Sequence, residues 1–284
     1  MSIIITADSS CDLSKDYLSP LPFEVIPLSI IQEGKAYQDG LEITPEDIYT
    51  RVANGADVPT TSAINVADYS TRFEALLKTY EAIIHINIGS EISSCHANAK
   101  IAAEELPNVY LVDSGNISVG QGILVLEAKR MVEEGVLSPS EIANELIDLA
   151  SRVEFTFVLD QVTYLHKGGR CSNIAALGAN LLKLKPVIAV LDGKLVMVKK
   201  YRGVFEKVLP SFFQDLLKDR DDIEQDKTML VTTKCPDHWI DAAVSEIRTH
   251  GNKEITDLFY AGCTICSHSG PKALGLAIVR KKKV

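Results

Sequence analysis

Ala82-Ile83-Ile84-His85-Ile86-Asn87-Ile88, running into Gly89-Ser90-Glu91-Ile92-Ser93-Ser94, is the stretch that decides the fold. Its first seven residues form an apolar run of strand length bounded by turn residues, the pattern of a buried strand. A helical pattern follows over 94–105, and a second apolar run, Val109–Val112, comes after a short link. Strand and helix alternating through short links describe parallel βαβ units with right-handed crossovers, and the pattern is read from residue 80 to 155. Ligands of such sheets sit at the carboxyl ends of the strands, so Ser90–Ser94 and Asp113-Ser114-Gly115 are expected to face one crevice.

Outward from this unit, further strands are predicted at Ile3–Ala7, Glu24–Ile31, Phe155–Leu159, Val187–Leu191, Lys194–Val198, Thr228–Val231 and Ile255–Ala261. Helices are predicted over 44–54, 66–79, 117–134, 138–151, 203–219 and 237–250. Two of them have legible starts: Thr44-Pro45-Glu46-Asp47, with a hydroxyl cap and proline in the first turn, and the capping box Ser138-Pro139-Ser140-Glu141. After about residue 157 the regularity breaks, and Asp192-Gly193 between two apolar runs signals a hairpin. The fold class expected is α/β in two domains. Residues 1–157 would form an N-terminal Rossmann-like parallel sheet with helices on both faces, residues 158–284 a C-terminal α+β domain, and the ligand would lie between them.

The 284 residues, 46% hydrophobic and 24% charged, suffice for a large core and contain no low-complexity tract. Residues 1–155 hold 9 Lys+Arg against 24 Asp+Glu, and residues 156–284 hold 20 against 14, so the halves carry −15 and +6. An acidic half argues against wrapping nucleic acid, while the basic half could receive a phosphate or an acidic partner, or simply be solvated surface with its Arg280–Lys283 tail. A first strand entered directly, without a basic leader or an apolar stretch of membrane-spanning length, points to a cytoplasmic protein. Cysteines at 11, 95, 171, 235, 263 and 266 read as reduced core residues. A zinc site from Cys235, Cys263, Cys266 and His268 can be drawn, but only one short ligand pair has suitable spacing, and no metal is expected.

Five clusters of hydroxyls, glycines and one late histidine fall where predicted strands end: Asp8-Ser9-Ser10, Pro59 to Ser62, Ser90 to Ser94, Lys167-Gly168-Gly169-Arg170, and His268-Ser269-Gly270-Pro271. Small neutral hydroxyls suit holding an anionic head group by hydrogen bonds and supply no obvious base for attacking one. Ser93 and Ser94 stand at the start of a predicted helix, where free N–H groups favour an anion. Taken alone, a plain serine cap is the commoner explanation, and Thr60-Thr61-Ser62 could merely organise a turn before the helix at Val66. His268, in the last loop, could donate to a carboxylate or serve a structural role. No G-x-x-x-x-G-K-[ST], G-x-S-x-G, H-E-x-x-H or strand-to-helix G-x-G-x-x-G occurs, so nucleotide, common hydrolase, zinc protease and dinucleotide readings lack support.

In order and spacing, the motifs resemble those of the DegV family, which includes the FakB fatty-acid-binding subunits of bacterial fatty acid kinase. The resemblance spans essentially the whole chain. It rests on Ala7 to Leu13, Asp39-Gly40 with Ile43 to Tyr49, Thr61-Ser62, Ser90-x-x-Ser93 and Leu111 to Ser114. Tyr164 to Arg170, Lys185 to Ile188, Arg202 and His268 to Gly275 complete it.

The resemblance implies two α/β-type domains with a long acyl chain in the interior and its carboxylate held by Thr61, Ser93 and His268. Ser62, Ser94, Arg170 and Arg202 are secondary candidates, the arginines for an added phosphate or for docking a kinase. One departure is Ser94-Cys95 after Ser93, where the family usually has Gly-Thr, and a lost glycine changes how closely backbone approaches a ligand. The implied protein is no enzyme by itself. It would be a cytoplasmic, monomeric lipid-binding subunit with the fatty acid as ligand and no cofactor. It would touch a membrane surface transiently and present its cargo to an ATP-dependent fatty acid kinase subunit, for acyl phosphate formation and phospholipid synthesis. The enzyme-class alternative is a Ser/His hydrolase or acyltransferase acting on a lipid-like substrate, with Ser93 as nucleophile, His268 as base and Asp113 or Asp160 as orienter.

Overall fold

Ile83, Ile84 and Ile86 are fully buried in a central strand with a parallel partner on each side. That double burial is why the run shows no polar alternation. The computed structural model describes residues 2–13, 17, 19–171, 184–251 and 257–282. Its strands are β1 (Ile3–Asp8), β2 (Phe23–Ile26), β3 (Ser29–Gln32), β4 (Lys35–Gln38), β5 (Thr60–Ser62), β6 (Ala82–Asn87) and β7 (Val109–Asp113), then β8 (Val153–Leu159), β9 (Leu184–Leu191), β10 (Lys194–Arg202), β11 (Ile223–Thr233), β12 (Asp257–Tyr260) and β13 (Ala273–Arg280). Its helices are α1 (Pro45–Ala53), α2 (Val66–Leu77), α3 (Cys95–Ala102), α4 (Val119–Glu134), α5 (Pro139–Ala150), α6 (Thr163–Gly168), α7 (Phe205–Leu217), α8 (Asp237–Gly251) and α9 (Cys263–Ser269).

The α/β class expected from the sequence is the one observed. A parallel sheet of order β2-β1-β6-β7 is covered by two helix pairs, α2 with α3 and α4 with α5. A second sheet, β10-β9-β8-β13-β11-β12, is antiparallel except for the β11–β12 pair. Strand β13 divides its residues by period two: Leu274, Leu276 and Ile278 pack with α7 and α8, and Ala273, Ala277 and Val279 join the core shared with the first sheet. A small antiparallel sheet, β4-β3-β5, lies against α9.

Three sequence expectations are corrected. The predicted strand 24–31 is two strands in different sheets, divided at Pro27-Leu28, where proline has no N–H to continue a ladder. The parallel alternation ends at β7, because α4 is followed directly by α5 and β8 pairs antiparallel with β13. Residues 157 and 158 both lie within β8, a strand of the second sheet. His268 lies in the last turn of a helix, α9, and not in a loop.

Thr44 caps α1 and Ser138 forms its capping box with Glu141 as expected, and Asp47 completes a box at Thr44 as well. The β9–β10 hairpin turns at Asp192 and Gly193, both with positive φ, as its Asp-Gly signal requires. Residues 255 and 256 of the expected strand at 255–261, and Lys283 of the basic tail, lie outside the described residues. Among the described residues no helix is long and apolar enough to cross a membrane.

Candidate binding site

Helix α9 begins at Gly262, which has no side chain to cap it, and two distant carboxylates take over that task. Asp39 accepts from the N–H groups of Cys263 (2.9 Å) and Thr264 (3.1 Å) and from the Thr264 hydroxyl (2.6 Å). Asp12 accepts from Gly262 N–H at 2.8 Å and from the Ser118 hydroxyl. Negative charge at a helix start complements its unpaired N–H groups. Burial pushes the Asp12 carboxyl up to about 7 against the lowering effect of those two donors. Ser9 donates to Asp39 at 2.8 Å and Ser10 to Gln121 at 2.7 Å. Asp8 accepts from Tyr69 Oη (2.5 Å) and from Ile88 N–H (2.9 Å), fixing the exit of β6. The Asp8-Ser9-Ser10 cluster is thus scaffolding, and none of the three lines the cavity described next.

That cavity, of about 480 Å³, lies between the two large sheets. Thr61, Ser62, Ser93, Ser94, Arg170 and His268 all border it, so six of the seven residues singled out in the sequence come together. Arg202 does not: it ends β10, exposed, away from the lining. Much of the remaining wall is apolar, including Ile88, Ile117, Phe155, Phe157, Leu195 and Val231.

Within the polar wall, His268 Nε2 meets Thr61 Oγ1 at 2.8 Å. Burial, reinforced by Arg170, lowers the imidazole to about 4, so it is neutral at pH 7. Among the described residues its Nδ1 has no hydrogen-bond partner, and it faces Gly168, where a Cβ would stand 2.0 Å away. The first glycine of Lys167-Gly168-Gly169-Arg170 therefore makes room for the histidine ring. Thr60-Thr61-Ser62 forms a strand rather than a turn, and the side chain that caps α2 is Asn65. Ser93 Oγ donates to Cys95 Sγ (3.2 Å) and accepts from Cys95 N–H (3.3 Å), while Ser94, at the cap position of α3, makes no side-chain cap bond. Cys95 thus holds the serine hydroxyl. Ser62 is exposed at the rim, and Arg170 is tied back through Nη1 to Gly168 O at 2.9 Å.

Asp113-Ser114-Gly115 does not share this crevice. Asp113 accepts from Ser90 N–H (3.1 Å) and Gly115 N–H (2.9 Å), closing its own turn, and the three residues border a second cavity with Asp192 and Arg280. The hydrolase constellation does not assemble either: His268 contacts Thr61, Asp113 is in the second cavity, and Asp160 pairs with Lys185 at 2.5 Å. The thiols of Cys235, Cys263 and Cys266 donate to the separate carbonyls of Ala273, Ile43 and Ala261. Burial raises all three, Cys235 to about 11 and Cys263 to about 12. Among the described residues no group of three His, Cys, Asp or Glu is placed to hold a metal.

Sequence reasoning missed Asn65 and Asn98, which add amides to the polar wall, and Gly275, whose strand β13 crosses the cavity. Their signals were weak: an asparagine before or within a helix looks like a cap or a surface residue, and a glycine lowers strand propensity.

A family model described as DegV matches residues 2–281. A DegV domain-containing protein of Caldanaerobacter subterraneus subsp. tengcongensis is 31% identical, the match covering 98% of this chain and 99% of that one. Among solved structures, a fatty-acid-binding DegV family protein from Thermus thermophilus superposes with a TM-score of 0.85 at 28% identity, covering 99% of this chain and all of the other. A fatty-acid-binding DegV family protein from Streptococcus agalactiae gives 0.86 at 26% identity with the same coverage.

Proposed function

This chain belongs to the DegV family, and from that membership we propose that it binds a long-chain fatty acid, with the acyl chain in the cavity and the carboxylate at Thr61, Ser93 and His268. The observation that carries the reading is the Thr61–His268 pair set into a cavity with largely apolar walls. Burying a sixteen-carbon tail at about 0.8 kcal/mol per methylene gains on the order of 11 kcal/mol before ordering costs. The tail supplies the affinity, and the head group needs only orientation. If Nε2 carries the imidazole proton it donates to Thr61 Oγ1, leaving the threonine hydroxyl proton for the carboxylate. No buried Lys or Arg pair has to be desolvated for this.

A carboxylate held by hydroxyls keeps an oxygen free to attack a phosphoryl donor. In the full reading the chain takes up a free fatty acid, touching a membrane surface transiently, and presents the carboxylate to an ATP-dependent fatty acid kinase subunit. It then retains the acyl phosphate for phospholipid synthesis. It acts as a cytoplasmic monomer with its head-group face open to the kinase, where Arg170 and Arg202 favour the added phosphate or the docking partner.

Titrating the delipidated protein with a saturated fatty acid tests the head-group assignment. Thr61→Val, which keeps the shape and removes the donor, should weaken binding about tenfold or more, as expected for a hydrogen bond to a charged group. Unchanged affinity in both Thr61→Val and Ser93→Ala would contradict it. Acyl phosphate formed only when this protein, a fatty acid kinase and ATP are combined supports presentation, and equal yield without this protein refutes it.

A further inference from the structure

We infer that Phe155 is the stop that sets the length of acyl chain the cavity accepts, with Gly275 as the seat that lets its ring lie there. The inference rests on the fatty-acid reading of the cavity. Three neighbouring strands place their inward residues in rows across the second sheet. Leu159, Ala273 and Thr233 form the first row, Phe157, Gly275 and Val231 the second, and Phe155, Ala277 and Met229 the third.

The first row adjoins the head-group end: Thr233 donates to the carbonyl of Gly270, two residues beyond His268. Ala273 and Thr233 of that row, and all three residues of the second, border the cavity. Of the third row only Phe155 does, while Ala277 and Met229 are sealed in the core. On these three strands the cavity therefore ends between the second and third rows, and Phe155 is the side chain that closes it there.

The ring reaches diagonally back over the second row. A Cβ on Gly275 would lie 2.8 Å from Phe155 Cε2, 2.9 Å from its Cζ and 2.9 Å from Phe157 Cβ, so any larger residue at 275 must displace the ring. Phe155 also stacks on Phe157, with centroids 5.4 Å apart. Behind it stands α4, where a Cβ on Gly120 would come within 3.1 Å of Phe155 Cβ. Phe155 is thus seated with its Cβ against a glycine of α4 and its ring against a glycine of β13. Truncating it opens space toward the third row, whereas filling position 275 pushes it into the lumen.

The test is the affinity of the delipidated full-length chain for saturated fatty acids of twelve to twenty carbons, in wild type, Phe155→Leu, Phe155→Ala and Gly275→Ala. Affinity rises with chain length until the cavity is full, by roughly fourfold per newly covered methylene. The expected result is that the length at which it stops rising moves out by about two carbons or more in Phe155→Ala and by less in Phe155→Leu. In Gly275→Ala it moves in. Phe155→Leu keeps the core filled and reports even where the alanine variant does not fold. A wild-type length optimum that Phe155→Leu retains unchanged overturns the stop alone. Wild type that binds no member of the series overturns the fatty-acid reading and this inference with it.

Discussion

His268 is a buried imidazole with one nitrogen on a threonine hydroxyl and the other facing a glycine, and its chemistry follows from that enclosure. Its pKa, near 4 and below the ordinary histidine value of about 6.5, gives its contribution to stability a definite sign. Between these values the unfolded chain binds a proton that the folded one does not. The stabilisation from keeping this ring neutral is therefore complete above about pH 6.5 and lost as pH falls toward 4. His268→Asn does not titrate, so the stability advantage of wild type over this variant should shrink across that interval in urea melts, and a constant difference would contradict the neutral ring. A bound carboxylate should raise the histidine value, since a nearby anion favours the charged imidazole. Proton NMR with and without fatty acid reads this directly. The residue types at the site were legible in the sequence, because hydroxyls and a histidine at strand ends suit an anion. The glycine facing His268 was not, since its role is steric and depends on a helix 100 residues later in the chain.

At the scale of elements, α9 is seven residues long and has a glycine at its cap position, so its own sequence neither reads as a helix nor caps one. It exists because Asp39 and Asp12 reach its N-terminus from far earlier in the chain. Asp39→Ala should therefore destabilise the fold by about 3 kcal/mol, leaving buried donors unpaired. It should also weaken fatty acid binding through the displaced His268, whereas Asp39→Asn should retain part of both. Thermal melts beside lipid titrations check this, and an alanine variant as stable and as tight-binding as wild type would refute the remote cap. The same dependence on distant partners explains which elements the sequence revealed. Helices with their own caps, α1 and α5, and the hairpin at Asp192-Gly193 were legible from local chemistry. The split of β2 from β3, the helices α6 and α9 and the glycine-bearing β13 were not, since tertiary pairing decides them.

For the whole molecule, the arrangement of two sheets around a shared cavity follows from burial on both faces of the second sheet, one against α7 and α8 and the other against the first sheet's helices. The class of fold was readable from apolar runs alternating with amphipathic helices. The transfer of β8 to the second sheet was not, because a run such as Phe155-Thr156-Phe157-Val158-Leu159 fits either sheet until its partner β13 is known. Mass spectrometry of the organic extract from protein purified without added lipid tests whether the cavity is built for an acyl chain. Wild type should yield a near-stoichiometric long-chain fatty acid and Thr61→Val a smaller share, whereas an extract empty of fatty acid, from protein that also fails to take one up on addition, would refute an acyl-chain cavity.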